Sequence, residues 1–462
     1  MRKITHLTLA VIFIWIFVSN PLTAGLFEKA EYAARRNRLM DKIPDGVAII
    51  LGAKIRVTYN EFYQNNDFIY LSGVEIPNAV LVIDGVSRES HLFFTISENG
   101  ARNEGISLDL VRNPGAVTGI KNIHPIEQLE EQLNQFAGRG QKFYTSFKPE
   151  ELMRECSREK ANILRRTMTD DPWDGRLTRE LQFIEKLKEK FPQVIVEDCS
   201  QKIWDLRIIK SSAEVELIRK AAHIAVKAHI ELMRSTRVGM FEYELAALYE
   251  YLIKKEGAQD LAYYMIICSG ENHPYVHYYK HDRKLQDGDF IVIDVGPDYG
   301  YYDIDITISY PANGKFSPRQ REVYEASKAV HEACLSVYRP GLTRVEARQK
   351  VDEILTEKGF DLTLPIFQKR TMRGGFGHYV GMATHDVGGG PSVLEPGMVF
   401  ANEPYAVFPE EDLGVRVENT ILITEDGCEN LTAGIPREIE EIEALMKESG
   451  IIQVLKKAGL YR

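Results

Sequence analysis

The sequence predicts an α+β chain of two domains, on three observations. Residues from about 25 to 200 alternate short apolar runs with charged helical stretches, the pattern of a small α/β domain. Residues from about 205 to 430 hold two weakly similar blocks, each helical first and strand-rich afterwards, which fits a duplicated α+β unit. The length, 462 residues with 44% hydrophobic and 27% charged, suits two or three domains around cores that need no disulfides. The formal charge of −10 lacks the basic footprint of non-specific nucleic-acid binding, so no nucleic-acid partner is expected.

The elements follow in order. Arg2 and Lys3 precede an apolar run, Leu7 to Val18, broken only by Thr8. A membrane span needs about 20 residues. The short run, its basic start and the small-residue end Leu22-Thr23-Ala24 read as a signal peptide over residues 1–24. The mature chain is then expected to be exported, periplasmic or secreted, and free of the membrane. An amino-terminal domain is assigned to 25–200 and a second, larger domain to 205–445. Val47–Gly52, Phe68–Leu71, Ala79–Ile83 and His91–Thr95 read as strands, because short apolar runs bounded by turn residues fit buried strands. Leu181–Lys190 reads as a charged helix. A long helix begins near Ser212, capped by Ser211 or Ser212, with Glu214 and Glu216 in its first turn. A second helix covers Glu242–Lys255 and stops at Gly257. Hairpin strands dominate from about 262 to 310, a helix pair covers about 318–358, and strands return from about 375 to 425. Cys156, Cys199, Cys268, Cys334 and Cys428 are widely spaced, without a C-x-x-C pair, so they suggest neither a zinc site nor a redox motif. Their odd number leaves at least one free thiol or an intermolecular bond.

Carboxylates interrupt the most apolar strands. Phe290-Ile-Val-Ile-Asp294 ends in an acid, and in Tyr302–Tyr310 the residues Asp303, Asp305, Thr307 and Ser309 share one face by strand alternation. Burying a carboxylate is costly unless it is paired or binds a metal. A hairpin brings Asp294 and Asp305 together, and two close carboxylates repel unless a cation lies between them. His378 follows Gly374-Gly-Phe-Gly377, Glu403 ends the strand that starts at Met398, and Glu418 shares a face with Arg416 and Thr420. Two Asp, one His and two Glu make an oxygen-rich donor set for Mn²⁺, Co²⁺, Fe²⁺ or Zn²⁺. The glycines Gly375, Gly377 and Gly381 have the wrong spacing for a dinucleotide loop.

These five residues, in this order and spacing, resemble the metal ligands of the pita-bread metallopeptidases, and best the aminopeptidase P and prolidase branch. Arg207-Ile-Ile-Lys-Ser-Ser-Ala-Glu214, Ser269-Gly-Glu-Asn272 and Asn66-Asp-Phe-Ile-Tyr-Leu-Ser-Gly73 share the resemblance, which covers most of residues 30–430. It implies a pita-bread catalytic domain preceded by a smaller α/β domain of the creatinase and aminopeptidase P type. It implies two divalent cations, manganese first, bridged by Asp305 and Glu418. Asp294 would hold one, and His378 with Glu403 the other. A bridging hydroxide would attack the peptide carbonyl, with Glu403 placed to shuttle the proton. His277 and His385 would touch substrate and stabilise the oxyanion. Arg416 would support the substrate end or a carboxylate. His273 and His281, four residues to either side of His277, are read as loop residues without a role.

The resemblance therefore implies removal of an N-terminal residue preceding proline from peptides, by a homo-oligomer, a dimer or a tetramer. The alternatives are a prolidase-type dipeptidase, an aminopeptidase of altered specificity and a silent peptide-binding module. The silent module conflicts with the complete ligand set, and so does metal-free creatinase-like chemistry. Three departures from the branch touch the expected substrate wall. Gly374 stands where a further His is usual, Ile308 where an Arg is usual, and Tyr405-Ala-Val407 where Gly and Tyr are usual.

Overall fold

The computed structural model describes residues 25–55, 61–150, 157–369, 372 and 376–461. The expected signal peptide, Cys156 and Gly374 lie outside the described residues. A six-stranded mixed sheet forms from β1 (Gly46–Leu51), β2 (Val80–Asp84), β3 (Glu89–Phe93), β4 (Asn122–His124), β5 (Lys142–Thr145) and β6 (Val196–Asp198), in the order β4-β3-β2-β1-β5-β6. Its pleat sorts the apolar residues between two cores. Val47, Ile49, Val80, Val82 and Phe93 pack with Leu133, Phe136 and Leu187 on one face. Ala48, Ile50, Leu81 and Ile83 face the other way, into a core continuous with the rest of the chain.

Phe68–Leu71 is not a strand. It lies within a seven-residue helix, Asn66–Ser72, all of whose residues are buried. Burial on every side erases the apolar stripe that marks a helix at the surface. The ends decide the matter instead. The Asn65 side chain accepts from the Asp67 amide, and Gly73 closes the helix at φ +67°, a left-handed conformation that glycine adopts without strain.

After the linker helix Ser200–Ile208, two helix pairs each precede a small antiparallel sheet. Ser212–Ser235 and Glu242–Lys255 precede the sheet β8 (Ile266–Ser269), β9 (Phe290–Asp294) and β12 (Thr307–Pro311), ordered β12-β9-β8. Pro318–Val337 and Arg344–Glu357 precede the sheet β13 (Val399–Asn402), β16 (Asn419–Ile423) and β17 (Cys428–Asn430), ordered β13-β16-β17. The first helix of each pair starts with a capping box, Ser211 with Glu214 and Ser317 with Gln320. This is the duplication faintly visible in the sequence. Shorter ladders complete it: β7 (Asp260–Leu261), β10 (Pro297–Tyr299) and β11 (Tyr302–Asp303) in one, β14 (Tyr405–Phe408) and β15 (Leu413–Arg416) in the other. Among the described residues, no helix is long and apolar enough to cross a membrane. Cys199, Cys268, Cys334 and Cys428 carry free thiols.

Candidate metal centre

The site forms where two strands are broken. The continuous strand expected from Tyr302 to Tyr310 is two strands, with Ile304, Asp305 and Ile306 between β11 and β12. Likewise Val417 and Glu418 lie between β15 and β16. Alternation still holds on the site side of the break: Thr307 and Ser309 turn toward the 416–418 segment, and Asp305 converges on Glu418 from the same side. Asp303, one face-mate in the expected pattern, goes elsewhere. It sits opposite Asp298 and accepts a hydrogen bond from Thr384 Oγ1 at 3.1 Å.

Asp305, His378 and Glu418 each offer a ligand atom, all within 4.8 Å of one another. His378 Nε2 lies 3.2 Å from Asp305 Oδ2 and 3.7 Å from Glu403 Oε1. Asp294, at the end of β9, joins Asp305 through one hydroxyl: Tyr263 Oη is 2.5 Å from Asp294 Oδ1 and 2.7 Å from Asp305 Oδ1. Arg416 pairs with the other oxygen of Asp294 and stacks 4.9 Å from the Tyr405 ring centroid, so here it serves a carboxylate. Thr307 Oγ1 donates to Glu418 Oε2 at 2.5 Å, and Thr420 Oγ1 donates to the Asp305 carbonyl at 2.7 Å. Backbone approach is tight as well. The Gly377 amide donates to the Ala401 carbonyl at 3.1 Å, and a Cβ at Gly377 would collide with that oxygen.

The electrostatics describe a centre short of positive charge. Burial pushes the Asp294 carboxyl up to about 6 against the pull of Arg416, with Asp305 adding to the rise. Burial, with Asp305 and Asp294, raises Glu418 well above the carboxylate range. Burial also works to raise Asp305, but the His378 hydrogen bond and charge overcome it and hold Asp305 down. The reciprocal effect lifts His378 to about 9, although burial alone would lower it. Arg416 is held firmly cationic: its burial is outweighed by Asp294 and Glu418. Four crowded carboxyl groups share one imidazolium and one guanidinium, so divalent cations fit this donor set.

The expected substrate contacts are placed at its mouth. His277 lies in the turn after the short 3-10 helix Gly270–Asn272, exposed, with its ring 6.3 Å edge-on from Tyr264. Burial, Arg416 and His385 together lower its proton affinity. His273 and His281 are structural: His273 is buried against the Phe290 carbonyl at 3.0 Å, and His281 bonds the Met265 carbonyl at 2.9 Å. The His385 ring lies 4.0 Å from that of His378, and its Nδ1 donates to Glu159 Oε1 at 2.8 Å. Two participants were not legible in the sequence. Tyr263 looks like any aromatic beside a strand, and Glu159 looks like any charge on a solvated helix. Of the departures, Ile308 packs into the apolar core, away from the carboxylates, whereas Val407 lines a crevice with Tyr275, Val276, Tyr405 and Arg416.

Residues 216–425 match the family model of metallopeptidase family M24, and residues 32–144 match that of the aminopeptidase P N-terminal domain. The chain is 30% identical over 455 residues to the Xaa-Pro aminopeptidase of Escherichia coli K12, covering 90% of this chain and 98% of that protein. It is 29% identical over 504 residues to the Xaa-Pro dipeptidase of Rattus norvegicus, covering 93% and 96%. Among solved structures it is similar to proline aminopeptidase P II from Yersinia pestis, with a TM-score of 0.74 at 31% identity, over 91% of this chain and 100% of that one. Aminopeptidase P from E. coli with the inhibitor Pro-Leu gives 0.74 at 29% identity, over 91% and 98%. Two domain matches in the expected order, full-length relatives and a donor set gathered at one point have one reading: the chain belongs to metallopeptidase family M24, in its aminopeptidase P and prolidase branch.

Proposed function

We propose that this protein is a metal-dependent Xaa-Pro aminopeptidase, releasing the N-terminal residue that precedes proline in a peptide. One observation carries the reading. Asp305, His378 and Glu418 converge, with Glu403 beside His378 and Asp294 linked to Asp305 through Tyr263, in a chain similar along its length to Xaa-Pro aminopeptidases. Asp294, Asp305, His378, Glu403 and Glu418 would hold two divalent cations, which supply Lewis-acid polarisation and a water of lowered pKa. The chain does the rest. Glu403, beside His378 and less buried than the other acids, accepts a proton from water and returns it to the leaving nitrogen. His277 and His385 donate to the substrate carbonyl as negative charge develops there. Arg416 keeps Asp294 ionised and oriented. The oxygen-rich, thiolate-free donor set favours manganese. A zinc-substituted aminopeptidase P from E. coli is also among the similar structures, so metal identity is a separate question.

The test is a metal titration with Mn²⁺, Co²⁺ and Zn²⁺ against Xaa-Pro-Yaa peptides, Xaa-Pro dipeptides and proline-free peptides. Cleavage of the first class supports the proposal. Cleavage of dipeptides alone supports the prolidase reading, which the dipeptidase relative favours. No cleavage with any metal rejects both. Export to the periplasm or medium is proposed from the basic start and short apolar run of residues 1–24. Retention of the protein in the cytoplasm counts against export, and a mature N-terminus still at Met1 counts against cleavage of residues 1–24. A dimer or tetramer is proposed for the assembly, with exposed Tyr264, Tyr275 and Tyr279 as available apolar surface, and sedimentation decides it.

A further inference from the structure

A second charged cluster lies behind His385, outside the metal centre. Arg207 of the linker helix places Nη1 2.8 Å from Asp67 Oδ1 and Nη2 2.7 Å from Asp386 Oδ1. Lys210 Nζ lies 3.1 Å from Asp386 Oδ2. Arg207, Lys210 and Asp386 have side chains 1% exposed, and Asp67 11%. Two anions and two cations therefore form a neutral, nearly dry quartet. Asp67 comes from the buried amino-terminal helix Asn66–Ser72, and Asp386 is the residue after His385. The neighbour of Asp67 acts on the same loop: Asn66 Nδ2 donates to the Met382 carbonyl at 2.6 Å. Thr384 is tied to Asp303.

The loop these contacts grip runs from His378 to Gly388. Its first residues are pinned to β13: the Ala401 amide donates to the His378 carbonyl and the Val380 amide to the Val399 carbonyl, each at 3.0 Å, around an isolated bridge at Tyr379. Its packing is close: a Cβ at Gly381 would strike Asp386 Oδ2 and crowd Lys210 Nζ. From Gly381 to Gly388 no strand continues, so pairing with a neighbouring strand does not fix the His385 side chain. Yet the loop carries one metal-ligand candidate and one substrate-contacting histidine, with rings 4.0 Å apart. A buried quartet of this kind is poor at adding net stability, because desolvating four charges offsets most of their attraction. What it supplies is directional geometry, with the planar Arg207 fork spanning Asp67 and Asp386 and Lys210 fixing the second oxygen of Asp386.

We infer that Asn66 and Asp67 of the amino-terminal domain, with Arg207, Lys210 and Asp386, are positioning residues that hold the 378–388 loop so that His385 meets the substrate. The role of His385 rests on the proposed function; the restraint on the loop does not. The amino-terminal domain thus completes the catalytic loop, although it contributes none of the candidate metal ligands.

The test uses the full chain loaded with Mn²⁺ and the variants Asp67→Asn and Asn66→Ala. The first keeps size and removes charge. The second removes one hydrogen bond to the loop and disturbs no charge, so it stands if the first fails to fold. Two readouts are taken. Amide hydrogen exchange over residues 378–388 should speed up at least tenfold, while β1 to β3 exchange as in the wild type. With an Xaa-Pro-Yaa peptide, kcat should fall about 10- to 100-fold with KM nearly unchanged, the range seen when a partner of a functional ligand is removed. Unchanged loop exchange, or a kcat within twofold of wild type, overturns the inference. Exchange that rises equally everywhere also overturns it, because that is loss of stability alone. If the wild type cuts no Xaa-Pro peptide, the functional reading has failed, and the exchange data still decide the loop.

Discussion

Tyr263 has one phenolic proton and two carboxylate neighbours, and that imbalance has a measurable result. Its hydroxyl can donate to Asp294 or Asp305 at one moment, so the pair is held by a shared partner. Tyr263→Phe should weaken metal binding about 10- to 100-fold, read by competition with a chromophoric chelator. Unchanged affinity would show that the cations organise the carboxylates without it. Glu403→Gln keeps shape and removes the proton acceptor. Its turnover should drop about 10²- to 10⁴-fold with melting temperature little changed, and turnover at the wild-type rate would remove Glu403 from the proton path. At this scale the candidate ligands were legible because a carboxylate in an apolar strand demands a reason. Tyr263 and Glu159 were not, because an aromatic near a strand and a charge on a helix are what ordinary packing produces. Their roles come from partners 31 and 226 positions away.

Among the elements, the longer ones were read closely. Helix Glu242–Lys255 lies at the expected residues, and the long helix is capped by Ser211. Length and caps carry that information locally. The failures were at Phe68–Leu71, where full burial hid a helix, and at Ile304–Ile306, where a strand pauses. The pause is set by tertiary partners: Thr420 Oγ1 receives the Asp305 amide at 3.1 Å and returns a bond to the Asp305 carbonyl. No local pattern encodes a residue 115 positions away. The capping box offers an element-scale test. Ser211→Ala should cost about 1 kcal/mol, as a shift in urea midpoint, with kcat unchanged. A loss of activity at full stability would give Ser211 a role beyond the cap.

Over the whole molecule, the two long helices place a neutral histidine in the core. Burial holds His229 down to about 4 and His331 to about 3, with Arg437 opposing charge on both. Below about 6.5 the unfolded chain takes up protons that the folded chain refuses until those values. This contribution to stability is therefore complete above pH 6.5 and is lost as pH falls through about 4. For His229 the loss between pH 7.5 and 5 is about 2 kcal/mol. Urea titrations of wild type and His229→Leu should show that much less acid sensitivity in the variant. Equal sensitivity would mean that the acid response lies elsewhere.

The seam between the sheets crosses in several places. Arg35 donates to the Tyr70 carbonyl at 3.1 Å and lies 3.5 Å from Glu214, which accepts from Tyr302 at 2.7 Å. Tyr301 donates to Glu75 at 2.5 Å. Such interlocking sets how these proteins can be recombined. A chimera that takes residues 25–200 from one relative and the remainder from another parts Asp67 from Arg207, Arg35 from Glu214 and Glu75 from Tyr301 in one cut. Moving the cut past Lys210 reunites only the first of these pairs and strands Asp386. The inheritable unit is thus a set of matched pairs, and grafts that transfer Arg35 with Glu214, Glu75 with Tyr301, and Asp67, Arg207, Lys210 and Asp386 together are the ones expected to survive shuffling.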